Sequence, residues 1–260
     1  MKIYTFGRPD APAILLLPGT CCHWKGNFDH VIPLLAEDLR VFCVSYDGFD
    51  EMERTEFPGM LEETEKIEAY IRENCGGHIR AAYGCSLGGS FVGLLAARKN
   101  IHMDYDILGS SDLDQSSRLA AKLQTELLVP LLYPLIRDGS FKVRFLQKRM
   151  EKRAAEMGEY MNAFMGMLGG ARPYVTERSC KNQFYSDLIT PLPEAIDVPG
   201  TEIHIFYALK MGEKYRARYM QHFAHPVIHE QDMQHEELLA CHPEEWARLV
   251  KQIALEKKQA

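Results

Sequence analysis

The chain opens without the long apolar stretch that a secretory leader needs, since Met1-Lys2-Ile3-Tyr4 enters a folded pattern at once. The apolar run 13–17 is far too short to cross a bilayer and suits a buried strand, so no membrane-spanning segment and no membrane partner is expected. A dense Lys/Arg stripe is also missing. With 30 basic against 36 acidic residues and a net charge of −6, the composition argues against a nucleic-acid partner and against a polyanionic substrate. No Gly-rich phosphate loop of the Walker type and no dinucleotide fingerprint follows the first strand, so no cofactor is implied. Internal repeats and low-complexity tracts are absent. The seven cysteines are odd in number and scattered, apart from Cys21-Cys22, which reads as reduced thiols in a cytoplasmic protein.

What is present is an ordinary globular balance, 46% hydrophobic and 25% charged, over 260 residues. That length suits one main α/β core with an insertion. Short apolar strands at 13–17, 41–45, 79–83 and 105–109 alternate with helical stretches, and 201–208 and 226–229 supply two more near the end. Between the second and third strands, Met60, Thr64, Ile67 and Ile71 share one face of a charged helix. A last helix begins at Pro243 and turns Trp246, Leu249, Val250 and Ile253 inward. The spacing predicts an α/β fold with a mostly parallel central sheet flanked by helices, its core made of 1–110 and 199–260. Residues 111–198 instead read as helices rich in Leu, Met and Tyr, broken at Pro130, Pro134, Pro173, Pro191 and Pro193. They are expected to form an inserted helical cap over the carboxyl ends of the strands, where open α/β sheets bind ligands. Met161, Phe164, Met165 and Leu168 in that cap form a stripe that ordinary helix packing explains as well as a pocket does.

One segment carries chemistry. Gly84-Cys85-Ser86-Leu87-Gly88 matches G-x-S-x-G, with a strand at 79–83 before it and Phe91, Val92, Leu94 and Leu95 after it as a helix. In that context a sharp turn thrusts the serine hydroxyl outward and aims the first helical N–H groups at the site. Glycines at both ends let strand and helix approach.

With this elbow in place, the chain resembles the α/β-hydrolase family from its first apolar strand to its final helix, the cap excepted. Leu15-Leu16-Leu17-Pro18-Gly19-Thr20 resembles the family's first oxyanion loop, with proline where the family has histidine. The resemblance implies an oxyanion hole made by the N–H groups of Thr20 and Leu87. A serine hydroxyl needs a base. His235, in Asp232-Met233-Gln234-His235 after the last strand and shortly before Pro243-Glu244-Glu245-Trp246, has the position of the family's catalytic histidine, although Gln234 stands where the family often has glycine.

The acid is less determined. The family's usual place follows the penultimate strand, where Ala208-Leu209-Lys210-Met211-Gly212-Glu213 offers no Asp and Glu213 is the nearest carboxylate. Some members carry it one strand earlier, which points to Asp112 or Asp114. Glu213 is preferred on chain position, and all three stay open. His222, His225 and His229 are spaced by three and four, but Pro226 interrupts them and no metal site is expected. Cys21-Cys22-His23 reads either as a thiol site or as small residues lining a pocket, and Cys85 invites a cysteine-nucleophile reading, but the exposed middle position of the elbow belongs to Ser86. The expectation is a Ser-His-acid hydrolase cleaving an ester, thioester or amide of a small, mostly apolar molecule. The same machinery could run carbon-carbon hydrolysis or acyl transfer to an alcohol, and a non-catalytic binding protein would keep the fold alone. Oligomeric state is not legible.

Overall fold

A strand that is apolar at every position, such as Ala13–Leu17, must be covered on both faces. The computed structural model, which describes residues 1–168 and 174–256, shows that cover. In chain order the elements are β1 (Lys2–Phe6), β2 (Ala13–Leu17), α1 (Trp24–Phe28), α2 (Ile32–Ala36), β3 (Arg40–Ser45), α3 (Met60–Cys75), β4 (His78–Gly84), α4 (Leu87–Arg98) and β5 (His102–Leu108). After them come α5 (Arg118–Asp138), α6 (Arg144–Leu168), α7 (Glu177–Ile189), β6 (Glu202–Ala208), α8 (Glu213–His222), β7 (Val227–Gln231), α9 (Glu237–Cys241) and α10 (Pro243–Ala254). The sheet order is β1-β3-β2-β4-β5-β6-β7, with β1 antiparallel to β3 and every other pair parallel.

Alternation along the strands divides the interior in two. Leu15, Leu17, Phe42 and Val44 face Ile67 and Ile71 of α3 and Phe91 and Leu95 of α4. Ile14, Leu16, Val41 and Cys43 face the other way, against Phe28, Leu35, Trp246 and Val250. The parallel register sets Leu17 beside Gly84, so the loops leaving β2 and β4 emerge at the same level. Cys85 N–H bonds back to Leu17 O at 3.0 Å and fixes that alignment.

Two local expectations change. Strand β1 was not anticipated; it joins the sheet as an antiparallel edge and covers Trp24 with Tyr4 and Phe6. Pro130 and Pro134 do not break the chain but lie inside the 21-residue α5. Each interior proline costs a helix about 3 kcal/mol. Here packing on α7 offsets it, because Ala121, Thr125 and Val129 are buried on one face, Pro134 is buried with them and Pro130 is exposed. Read as one helix, α5 is long and apolar enough to cross a bilayer by length and composition, with 33% of its apolar window buried inside the protein. Helix α6 bends at Gly158, whose φ of 48° and ψ of −114° are not helical. The break read at Pro173 lies outside the described residues.

Candidate active site

Ser86 sits between β4 and α4 with φ 49° and ψ −112°, a left-handed conformation that a residue with a Cβ adopts only when its surroundings force it. The forcing is steric. A Cβ at Gly84 would lie 2.1 Å from the Gly88 backbone, and a Cβ at Gly88 would lie 2.1 Å from Leu17 O, so neither position accepts any other residue without moving the elbow. The Ser86 side chain makes no capping bond to α4. Leu87 is the first residue of that helix, and its N–H is one of the donors an α-helix leaves without an internal partner.

The loop after β2 is tied down residue by residue. Gly19 N–H donates to Asn27 Oδ1 at 2.8 Å, Cys21 N–H to Gln183 Oε1 at 2.6 Å and Cys22 N–H to Gly19 O at 3.2 Å. Thr20 lies within this fixed run, and its N–H has no acceptor inside the protein among the described residues. Ser86, Thr20 and His235 all line one cavity of about 280 Å³ at the carboxyl ends of the strands. Its roof is apolar, made by Val129, Leu132, Leu135 and Ile136 of α5 and by Phe164 and Met167 of α6. His235 is held from the same roof: Tyr160 donates to its carbonyl at 3.0 Å, and the Phe164 ring stands edge-on to the imidazole at 6.2 Å.

The three carboxylates raised as acids stand in different places. Glu213 begins α8, is 78% exposed, and pairs with Arg216 at 3.6 Å; none of the three carboxylates lines the cavity. Asp114 is 42% exposed and pairs with Arg218. Asp112 is the one in contact with the field of His235. Burial pushes its carboxyl above the ordinary range, Asp114 adds to that, and the His235 charge pulls it back down. Asp112 O accepts from Arg218 at 2.7 Å, and Leu113 next to it has a φ of 48°.

The thiols around Ser86 are held protonated. Burial raises Cys22 to about 12, and burial with the nearby Glu236 carboxylate raises Cys85 well above its usual range. Thiolate chemistry is thereby disfavoured at this cavity.

No protein-family model matches the chain, and no curated protein matches its sequence. Solved structures do. An α/β-hydrolase family protein from Desulfitobacterium hafniense superposes with a TM-score of 0.76 at 18% identity, over 97% of this chain and 99% of that one. The chain has the α/β-hydrolase fold. MenH from S. aureus superposes at a TM-score of 0.71 and 12% identity, over 99% and 98% of the two chains. A 2-hydroxy-6-oxo-6-phenylhexa-2,4-dienoate hydrolase from Rhodococcus sp. strain RHA1 gives 0.64 and 18%, over 98% and 94%.

Within this α/β-hydrolase fold two residues matter at the cavity that the sequence did not single out. Glu236, directly after His235, is 3% exposed and lies under the elbow. Its Oε1 accepts from Ser86 N–H at 2.7 Å and from Ser110 N–H at 2.9 Å, and its Oε2 from Tyr83 OH at 3.2 Å. One carboxylate therefore joins the loops after β4, β5 and β7. Gln183, fully buried on α7, clamps the Thr20 loop through Cys21 N–H. The backbone records where this arrangement is forced. Of six non-glycine residues at positive φ among the described residues, Cys21, Ser86, Leu113 and Glu236 belong to these loops. Such conformations persist only where the surroundings over-determine them, which is typical of functional sites.

Proposed function

We propose that the chain is a serine hydrolase acting on the carbonyl of a small, mostly apolar ester, thioester or amide. Ser86 is the nucleophile, His235 the base, Asp112 the acid, and the N–H groups of Thr20 and Leu87 form the oxyanion hole. The observation that carries this reading is the meeting at one cavity of a serine forced to a φ of 49° and an imidazole, with a half-buried carboxyl outside the lining that responds to that imidazole's charge. Glu213, preferred on chain position alone, is set aside in favour of Asp112 because it is 78% exposed and paired with Arg216, whereas the charge of His235 acts on Asp112.

In the proposed reaction Ser86 Oγ attacks the carbonyl carbon while His235 takes its proton. The oxygen that becomes negative is met by two N–H donors on main chain that is already held in place, so little reorganisation is needed as the charge develops. Asp112 stabilises the imidazolium, which then gives its proton to the leaving group. Water, deprotonated in turn by His235, releases the acyl group as an acid and restores Ser86. The apolar roof suits the acyl part of the substrate. It continues past Leu135, Phe164 and Leu168 into a second apolar cleft of about 310 Å³ reaching Phe141, Met150 and Met161.

A fluorophosphonate probe tests the reading, because it phosphonylates only a serine that a base has activated. Labelling of the wild type and its loss in Ser86→Ala, with kcat/KM on p-nitrophenyl esters down by about 10³-fold or more, is the expected result. An unlabelled wild type that neither turns over esters nor consumes the probe would leave a binding protein on this fold.

A further inference from the structure

At the opposite end of the strands from Ser86, three side chains converge on one point. His78 opens β4 and His102 opens β5, and the two are partners in the parallel register. Their rings stack with centroids 5.4 Å apart and planes 24° from parallel. Asp104, two residues beyond His102 and so on the same face of the sheet, completes the group. Its Oδ1 lies 3.3 Å from Nε2 of His78 and 3.4 Å from Nε2 of His102.

Those separations have a physical meaning. They are long for an N–H···O bond, whose usual length is about 2.9 Å. They match the edge of a tetrahedron whose centre lies about 2.0–2.1 Å from each corner, which is about 3.3–3.4 Å and is the bond length of Zn²⁺ to imidazole nitrogen and carboxylate oxygen. The three donor atoms all fall within 4.8 Å of one another. The carboxylate is also oriented from behind. Arg80 donates to the other oxygen, Oδ2, at 2.8 Å, while it also donates to the carbonyls of Ala254, the last residue of α10, and of Glu256 just past it. An outer partner of this kind is what fixes a ligating carboxylate at metal sites. His78 and His102 are 54% and 41% exposed and Asp104 15%, so an ion has a way in and a fourth position open to water.

We propose that His78, His102 and Asp104 form a binding site for a borderline divalent cation, Zn²⁺ foremost, bound through two imidazoles and one carboxylate. The site is structural: it pins the starts of two central strands and, through Arg80, the end of α10. It stands apart from the proposed hydrolase chemistry, because the six steps along β4 from His78 to Gly84, at about 3.3 Å each, set it some 20 Å from the elbow. The neighbouring guanidinium offsets the carboxylate charge, so affinity in the micromolar rather than the picomolar range is expected.

The test is calorimetric titration of the full chain with ZnCl₂ at neutral pH, beside His78→Ala, His102→Ala and the double variant. One Zn²⁺ per chain is expected, at least about tenfold weaker in each single variant and lost in the double one, with a zinc-dependent rise in Tm that disappears in parallel. X-ray absorption of the loaded wild type should show two imidazoles at about 2.0–2.1 Å. Esterase activity is unchanged in all three variants, which also shows that they fold. Failure of the wild type to bind Zn²⁺, or equal binding by the folded double variant, overturns the proposal.

Discussion

The floor of the Ser86 cavity is tied by polar bonds and its roof is laid on by apolar contact. Beneath the serine, the buried Glu236 carboxylate accepts from two backbone N–H groups and a tyrosine hydroxyl, and so fixes the loops carrying Ser86, Asp112 and His235 relative to each other. Above it, α6 buries only Met167 and bends at Gly158, and α5 leaves Leu119, Leu123 and Leu127 between 59% and 81% exposed. Hydrogen bonds to a buried charge are directional and worth about 1.5–3 kcal/mol each, whereas apolar contact scales with area and tolerates sliding. The difference teaches how such a fold separates two tasks. Positions that must hold to fractions of an ångström belong to the floor, and the roof meets them through the Tyr160 hydroxyl on the His235 carbonyl and through apolar contact.

The comparison breaks first at the acid. Asp112→Asn should lower kcat by about 10²–10⁴-fold while Glu213→Gln stays within about twofold, measured on one p-nitrophenyl ester; a loss in Glu213→Gln instead would return the acid to the loop after β6. The same Asp112→Asn protein should melt higher. Because the native Asp112 carboxyl is held above its ordinary value, the folded chain binds that proton more tightly than the unfolded one, and stability falls as pH rises from the ordinary carboxylate range through the raised value. Asparagine removes this slope, so its advantage in Tm should grow toward neutral pH.

Next is the strap. Glu236→Ala leaves two buried N–H groups and the Tyr83 hydroxyl without their acceptor and should cost about 2–5 kcal/mol in urea unfolding. Glu236→Gln keeps an acceptor for both N–H groups and should recover most of it. An alanine variant as stable as the wild type would show that the floor is held by the elbow sterics alone. On the roof the expected effects are smaller and fall elsewhere. Phe164→Ala should raise KM for longer acyl esters by about 10-fold and leave kcat for an acetyl ester within about twofold, since removing apolar pocket wall is worth about 1–3 kcal/mol. A collapse of kcat there would mean that the Phe164 ring, and not the Tyr160 hydroxyl alone, positions His235.

The least of these effects lies away from both walls, at the sheet edge, where His204 of β6 meets His229 of β7 at 3.0 Å. Burial, with the His229 charge adding to it, lowers His204 from 6.5 to about 4. The unfolded chain therefore takes up a proton that the native one refuses, and stability should fall as pH drops from 6.5 toward 4. In His204→Leu that acid slope should be shallower; an unchanged slope would place the acid sensitivity elsewhere.

Much of the floor was legible along the chain because its information is local. Gly84 and Gly88 flank Ser86 at a fixed spacing, and the need for glycine at both is set by contacts that the turn itself creates. The helix with Met60, Thr64, Ile67 and Ile71 on one face is α3, with those four buried, because a 3.6-residue period records which side meets the sheet. Pro130 and Pro134 misled for the opposite reason: a propensity acts residue by residue, while the helix that overrides it is held by α7 from some fifty residues away.

The sequence alone therefore determined the elbow, the alternation that builds a two-faced parallel sheet, and the order in which Thr20, Ser86 and His235 follow one another, since each depends on neighbours within a few residues. Only the tertiary structure gave Asp112, Asp114 and Glu213 different surroundings, because three carboxylates of like chemistry differ in nothing but the burial and the charges brought to them through space. It alone gave Glu236 its place, for the groups that carboxylate holds at Ser86 and Ser110 are backbone N–H donors, which every residue but proline carries and which no sequence pattern can announce.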